Sequence, residues 1–98
     1  MDLKYSESAI EDLYEILDFI ALDSPKRASS FIDKLKSKIE LLTIFPNLGV
    51  SCRNKGIAED CRIMIFESYL VFYAIEDETV VIRNIINCAF DYTKEGKS

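Results

Sequence analysis

The sequence predicts an α+β fold in which a helical hairpin packs on a small antiparallel sheet, in the order β-α-α-β-β-β. Two observations lead to this prediction. Apolar residues recur at three- and four-residue steps over residues 6–42, which is the spacing of one helical face. Residues 61–88 instead form three runs rich in Ile, Val, Phe and Tyr, and short polar turns separate these runs, as is typical of antiparallel strands.

The length and composition indicate one globular domain. The chain has 98 residues, of which 49% are hydrophobic and 30% are charged, which is enough for one core. We therefore expect a single domain over residues 1–98, with a flexible tail at about 93–98. No apolar run approaches the ~20 residues that span a bilayer, and the N-terminus lacks a signal-peptide layout, so we expect a cytoplasmic protein without a membrane partner.

Missing residue types narrow the possible chemistry. The chain has no histidine, which excludes a Ser–His–Asp triad, a Cys–His pair and a Cys/His metal site, and we expect no metal or cofactor. The cysteines, at positions 52, 61 and 88, are odd in number and lack CxxC spacing, so a disulfide framework is not expected. Cys61 and Cys88 lie in apolar runs and are interpreted as small core residues. The net charge of −5 disfavours direct DNA binding by the chain alone.

Two amphipathic helices joined by a short turn are predicted over residues 6–42. Ser6 or Ser8 fits the N-cap of the first helix, and Ser24 followed by Pro25 fits the start of the second. The apolar stripe of the first helix consists of Ala9, Ile10, Leu13, Ile16, Leu17 and Ile20. Its other face is acidic, whereas the outer face of the second helix carries Lys26, Arg27, Lys34, Lys36 and Lys38. We expect an antiparallel hairpin with one acidic and one basic side.

The strand predictions cover both ends of the domain. Residues 2–5 are a short first strand, and residues 61–67, 69–76 and 79–88 form an antiparallel meander. Between helices and meander lies the loop IFPNLGVSCRNKG (44–56), where Pro46 ends the helical pattern. Its basic pair, Arg53 and Lys55, is interpreted as a binding surface for an anionic partner or as ordinary solubility residues.

Six segments follow one another in a specific order: AIEDL in the first helix, SPKRASSFIDKL in the second, LxxFPNLG after it, and then CRIM, YLVFYAI and VVIRNII. The FPxxG after the second helix and the YxxxY of the penultimate strand are the most specific of them. In this order, the chain from residue 3 to about residue 92 resembles the RelE/ParE superfamily of bacterial toxins. The resemblance is closest to the ParE-like, plasmid-stabilisation branch.

The resemblance implies one of two activities. RelE-type members bind the ribosomal A site and cleave mRNA, whereas ParE-type members inhibit DNA gyrase, and in both a cognate antitoxin neutralises the toxin. It therefore implies an antitoxin as partner, and gyrase or the ribosome as target. A small interaction module without toxicity stays open as a third reading, because one fold often serves several functions.

For a RelE-type nuclease, the resemblance implies roles for Arg62, Arg83 and Tyr92. Arg62 matches the family's sheet arginine and would hold the scissile phosphate bidentately. The alternative is a solvent-facing arginine that pairs with Glu67 or Glu59. Tyr92 would carry a proton or stack on a base, or it anchors the tail to the sheet.

The last predicted strand contains a candidate site residue, Arg83, but its end differs from that of the RelE-type nucleases. Strand alternation places Arg83 on one face with Val81, Ile85 and Asn87. An arginine there lies on the open face of the sheet or pairs with an acid, and it belongs either to a site or to an ordinary solvated face. Many relatives end this strand with a histidine and a later basic residue, where this chain has Asn87 and Phe90. Asn87 does not transfer protons near neutral pH. These departures argue against a nuclease and leave Asn87 as a binding residue.

Overall fold

The computed structural model describes residues 1–56 and 60–87. Its elements are β1 (Asp2–Tyr5), α1 (Glu7–Ala21), α2 (Pro25–Glu40), β2 (Val50–Ser51), β3 (Arg62–Phe66), β4 (Tyr69–Glu76) and β5 (Thr79–Asn87). The 3₁₀ turns Leu41–Thr43 and Cys52–Lys55 follow α2 and β2. The α+β class is confirmed. Glu59, Cys88, Phe90, Tyr92 and the predicted tail at 93–98 lie outside the described residues.

Both helices begin at serine caps. The Ser6 hydroxyl accepts a hydrogen bond from the Ala9 N–H at 3.0 Å, so Ser6 rather than Ser8 caps α1. The Ser24 hydroxyl accepts from the Arg27 N–H at 3.2 Å, and Pro25 occupies the first turn of α2, as predicted. Within the described part of the chain, neither helix is long and apolar enough to cross a membrane.

The sheet is mixed rather than wholly antiparallel. Its five strands lie in the order β1-β5-β4-β3-β2, and β1 runs parallel to β5 while the other neighbours are antiparallel. A tight turn forces antiparallel pairing only on consecutive strands, and the two helices and the meander separate β1 from β5 in the chain. The two-residue strand β2 lies within the predicted loop 44–56.

The helices cover one face of the sheet and form the main core with it. Its buried members are Ala9, Ile16, Leu35, Ile39, Leu42, Met64, Tyr69, Val71, Tyr73, Val80, Ile82 and Ile85. Ile10 belongs to the predicted stripe of α1 but is exposed at the rim of the hairpin. A smaller cluster on the opposite face contains Cys52, Cys61 and Ile63, with Leu70 and Phe72 packed against it.

A disulfide joins Cys52 to Cys61 in this smaller cluster. The expectation that the chain forms no disulfide is therefore wrong for this pair. Cys61 is buried, as predicted, but it is half of a cross-link rather than a free apolar residue. The pairing follows from β2, which was not predicted: it brings the two cysteines face to face although they lie nine positions apart in the chain.

A bulge in β5 changes which residues share a face. Phe72 pairs with Asn84 and Tyr73 pairs with Ile82, so Arg83 is an extra residue between two ladder pairs. The predicted alternation is wrong beyond this point. Ile85 lies in the main core, on the opposite face from Arg83 and Val81.

Candidate binding surfaces

The loop after α2 is fixed to the sheet by the phenol of Tyr73, a fully buried residue of β4. The Tyr73 hydroxyl donates to the Pro46 carbonyl at 2.7 Å and accepts from the Gly49 N–H at 2.9 Å. One side chain thus satisfies backbone groups at both ends of the segment 46–49. These bonds give a physical reason for the FPNLG segment and for the second tyrosine of the YxxxY motif.

Glycine is required at position 49 because the loop backbone passes directly against β3. A Cβ built at Gly49 would lie 2.6 Å from the Ile63 carbonyl oxygen and 2.8 Å from the Tyr73 hydroxyl. The first of these is a backbone atom of a paired strand, and it has little freedom to move aside. Any side chain at this position would therefore push the loop away from the sheet.

Arg62 holds the same loop from the edge of the sheet. Its Nε donates to the Gly49 carbonyl at 3.0 Å, and its Nη2 lies 3.4 Å from the Asn47 carbonyl. Among the described residues it forms no ion pair, so the predicted alternative of pairing with Glu67 is not observed. Arg62 is directly opposite Tyr73 in the ladder, and the two side chains hold the loop together.

The loop presents an apolar surface because its backbone, not its side chains, contacts the sheet. Ile44 is 68% exposed and Phe45 is 58% exposed, and Leu48 and Val50 are also exposed. The basic pair follows on the 3₁₀ turn Cys52–Lys55, where Arg53 is exposed and Lys55 is the last residue. The loop thus combines apolar side chains with positive charge.

The two candidate arginines of a nuclease are not brought together. Arg83 lies on β5 and its Nη2 forms an ion pair with Glu76 Oε2 at 3.1 Å. Arg62 shares a face of β3 with Met64, which packs toward the helices, whereas Arg83 lies on the opposite face. Strand β4 separates them.

The other edge of the sheet is closed by side chains from the start of α1. Strand β1 ends at Tyr5, and β5 continues past it. There the Ser6 hydroxyl donates to the Arg83 carbonyl at 2.8 Å, and Asp12 Oδ2 accepts from the Ile85 N–H at 2.8 Å. Two polar side chains of the helix therefore replace a neighbouring strand along this part of β5.

A groove of about 290 Å³ lies between α1 and the end of β5. It is lined by Asp12, Glu15, Ile16, Phe19, Tyr69, Ile85, Ile86 and Asn87. Phe19 lies at its rim and is 68% exposed, so most of its ring is open to a partner. The groove is therefore apolar at its base with carboxylates along one side, and it includes the predicted binding residue Asn87.

A second groove of about 290 Å³ separates the two helices near β1. Tyr5 lines it, and its hydroxyl is buried with no hydrogen-bond partner among the described residues. Burial, and to a smaller extent the negative charge of Glu40, raise the pKa of Tyr5 above its ordinary value. Its environment is thus the opposite of that of Tyr73, whose hydroxyl makes two hydrogen bonds.

The predicted charge difference between the helices is present at the surface. Glu7, Glu11, Glu15 and Asp18 of α1 are exposed, as are Lys26, Arg27, Lys34 and Lys36 of α2. Most of these charges face solvent, where individual pairs contribute little to stability. Their effect is on the approach of charged partners.

The sequence indicates the loop and the candidate arginines, but not that Tyr73 fixes the loop or that Asp12 bonds to β5. In the sequence, Tyr73 is the second tyrosine of the YxxxY motif and Asp12 is one of several acids on α1. The contact of Asp12 with Ile85 spans 73 positions in the chain, so no local pattern predicts it. The exposed Phe19 was detectable in the sequence, because it lies outside the apolar stripe of its helix.

The fold is shared with a solved bacterial protein. The chain superposes on a structure titled "Chromosomal ParDE TA system from P. aeruginosa" with a TM-score of 0.75 and 21% sequence identity. The match covers 89% of this chain and 95% of that one, and it shows that the two have the same fold. A comparison with curated proteins gave no match.

Family membership is established separately, by sequence. The family model for the ParE toxin of the type II toxin-antitoxin system, parDE, matches residues 3–92. The chain therefore belongs to the ParE toxin family, and the predicted place in the RelE/ParE superfamily is confirmed.

Proposed function

We propose that this ParE-family toxin acts in the cytoplasm by binding a protein target, with DNA gyrase as the expected target, and that a cognate antitoxin neutralises it. The observation that carries the proposal is that both candidate arginines, Arg62 and Arg83, already have partners within the protein. Arg62 holds the loop 44–56 and Arg83 pairs with Glu76, on opposite faces of the sheet. The surfaces left exposed are suited to binding a protein rather than to cleaving RNA.

Metal-independent RNA cleavage requires a base, an acid and positive charge around one phosphate. The chain has no histidine to serve as base or acid. Its two candidate phosphate ligands would have to leave their present partners and meet across β4. A protein-binding mode makes no such demand on them.

The loop 44–56 is our proposed target-binding surface. Aromatic and aliphatic anchors beside positive charge are typical of the central residues of protein interfaces. Phe45 is the largest such anchor on the loop. Because Tyr73 and Gly49 fix the backbone beneath it, little conformational entropy is lost when a partner binds.

The groove between α1 and β5 is our proposed antitoxin site. Ser6 and Asp12 already satisfy the Arg83 carbonyl and the Ile85 N–H, so an added strand would have to displace both side chains. An amphipathic helix laid along the groove needs no such displacement. The carboxylates of Asp12 and Glu15 favour basic residues on that helix.

The target is tested by gyrase supercoiling with purified toxin. We expect inhibition, at least about tenfold weaker for Phe45→Ala, as for an interface anchor. Leu22→Ala is the matched control, because Leu22 is 87% exposed in the turn between α1 and α2, outside the loop 44–56. Unchanged supercoiling at all toxin concentrations would reject gyrase as the target.

The enzyme alternative is tested by mapping new mRNA 5′ ends after a short induction in bacterial cells. We expect growth arrest without cuts in translated regions. Cuts that disappear in Arg83→Ala, while the protein stays folded by circular dichroism, would instead establish a ribosome-dependent nuclease and contradict the proposed mode.

Antitoxin binding is tested with the product of the neighbouring gene. We expect Phe19→Asp to weaken binding at least about tenfold, because Phe19 lines the groove. Leu22→Asp should change binding little, because Leu22 is not among the residues that line it. Raising the salt concentration should speed dissociation, because screening weakens attraction between exposed charges. Equal affinity of the two variants would place the antitoxin elsewhere.

A further inference from the structure

The disulfide lies at the weakest edge of the sheet. The ladder pairs Val50 with Ile63 and Ser51 with Arg62, and Cys52 follows directly opposite Cys61. The Cys52 N–H donates to the Cys61 carbonyl at 2.8 Å, and the two Cα atoms are 5.2 Å apart. The disulfide therefore closes the hairpin that carries Arg53.

Among the described residues, few other bonds hold this hairpin end to the sheet, and those nearest to it are the bonds of Gly49 to Tyr73 and Arg62. Strand β2 has two residues and, in the part of the chain that the structure describes, pairs with β3 alone. Neither cysteine belongs to the main core, which the helices form with the other face of the sheet. The hairpin end can therefore separate from the sheet while the main core stays intact, as in local unfolding of edge elements.

Access to the disulfide depends on that local opening. Cys52 is fully buried and Cys61 is 6% exposed, both against Ile63 in the smaller cluster. In the closed state an attacking thiolate does not reach either sulfur. When the edge opens, the disulfide is exposed and exchange proceeds at a rate set by the opening and by the thiolate.

We propose that Cys52–Cys61 is a site of reversible thiol–disulfide exchange, whose reductant is a small dithiol. A thiolate of the dithiol attacks one cysteine sulfur, the S–S bond breaks, and the other cysteine leaves as a thiolate that takes up a proton. The second thiol of the dithiol then displaces the first cysteine from the mixed disulfide. Two electrons and two protons pass to the protein, and the dithiol becomes a cyclic disulfide.

Exchange at this site changes the loop and leaves the main core unchanged. In the oxidised form the cross-link holds the 3₁₀ turn with Arg53 beside the sheet. In the reduced form, the bonds that remain among the described residues are the two ladder pairs of β2, the backbone bond at Cys52 and the bonds of Gly49 to Tyr73 and Arg62. Reduction therefore loosens the surface next to Val50 without unfolding the domain.

The test uses the full chain with Cys88→Ser, so that only this pair remains. After treatment with oxidised glutathione, native alkylation and mass spectrometry should find no labelled cysteine. Dithiothreitol in native buffer should yield two labels, and oxidised glutathione should reverse this. Hydrogen exchange at residues 50–53 and 61–63 should rise at least about tenfold on reduction, while that at 35–42 and 80–82 stays unchanged.

Two results would overturn the proposal: a pair that stays reduced in oxidised glutathione, or reduction that occurs only as fast as global unfolding. The variant Cys52→Ser/Cys61→Ser, also with Cys88→Ser, is the control. Its amide hydrogens should exchange at the rate of the reduced form, with or without dithiothreitol. If Cys88→Ser does not fold, peptide mapping of the alkylated natural chain gives the same count at positions 52 and 61. None of these readouts requires toxin activity, so they stand apart from the gyrase assay.

Discussion

At the β1 edge of the sheet, side chains from α1 bond to the backbone of β5, whereas at the opposite edge side chains from β3 and β4 bond to the backbone of a loop. Ser6 and Asp12 form the hydrogen bonds at the first edge, and Tyr73 and Arg62 form those at the second. The first arrangement protects a strand that is already paired on its other side. The second gives shape to a segment that has almost no regular structure of its own.

The comparison shows that the two edges depend on their side chains to different degrees. Along β5 the ladder with β4 persists if a helix side chain is lost. The segment 46–49 has no such ladder: apart from a turn bond from the Leu48 N–H to the Phe45 carbonyl, its backbone bonds go to the side chains of Tyr73 and Arg62. Changes at the loop edge should therefore cost more stability than changes at the β1 edge.

The largest effect is expected from Gly49→Ala. The new Cβ would meet the Ile63 carbonyl at 2.6 Å, so the loop must lift and lose its bonds to Tyr73. We expect a loss of about 3 kcal/mol in the free energy of unfolding, measured by urea denaturation. Gly56→Ala is the control: no atom of the described residues lies within 4 Å of its Cβ, and the positive φ of 81° opposes alanine by about 1 kcal/mol. Equal losses would contradict the close approach at Gly49.

Tyr73→Phe should have the next largest effect. It removes one hydroxyl and leaves the Gly49 N–H and the Pro46 carbonyl without their partner, at a cost of about 2 kcal/mol. Tyr5→Phe is the matched control, because its hydroxyl is buried without a partner among the described residues, so its removal should not destabilise the protein. A similar loss in both variants would mean that ring packing, not hydrogen bonding, sets the cost.

The natural protein and the Tyr5→Phe variant should differ in stability at high pH. The folded state raises the pKa of Tyr5, so the unfolded state releases the phenolic proton first as the pH rises. Stability from this group is complete below pH ~10 and is lost above it. Natural protein should therefore lose stability above pH 10 more steeply than Tyr5→Phe.

Asp12→Ala tests the β1 edge. It removes the carboxylate that accepts from the Ile85 N–H, and water reaches this partly exposed site, so the loss should be only about 1 kcal/mol. Amide exchange at Ile85 should quicken, as followed by NMR. Glu11→Ala, one position earlier on the exposed face of α1, should leave both the stability and the exchange rate unchanged.

The smallest effect, and a stabilising one, is expected from Glu78→Gly. Asp77 and Glu78 form the turn between β4 and β5 with φ of 51° and 60°, which side chains disfavour. Glycine at 78 should increase the free energy of unfolding by about 0.5–1 kcal/mol, which is measured as a slightly higher melting temperature. Ser68→Gly is the control, because Ser68 lacks a positive φ and glycine there should lower stability.

Local signals made much of the fold predictable. Ser24 and Pro25 mark a helix start by their own chemistry, and the β-branched runs mark strands wherever they end up. The parallel pairing of β1, the bulge at Arg83 and the disulfide depend on which segments meet. They are therefore tertiary events that leave little trace in neighbouring residues.

The candidate surfaces were predictable only in part, for the same reason. The loop 44–56 was recognisable from its proline, glycine and basic pair. That Arg62 holds this loop depends on its partner strand and on a carbonyl 13 positions away. A motif in sequence thus located the residue correctly without identifying what its guanidinium contacts.

The opposed charges of the two helices give the molecule a lasting electric dipole moment across the hairpin. Exposed carboxylates lie along α1 and exposed ammonium groups along α2, so the moment points from one helix to the other. In dilute salt such a molecule rotates into a preferred orientation before it touches a charged partner. The orientation of the toxin at the first encounter is then set by the electric field of the partner. The association rate therefore depends on ionic strength even where the final affinity does not.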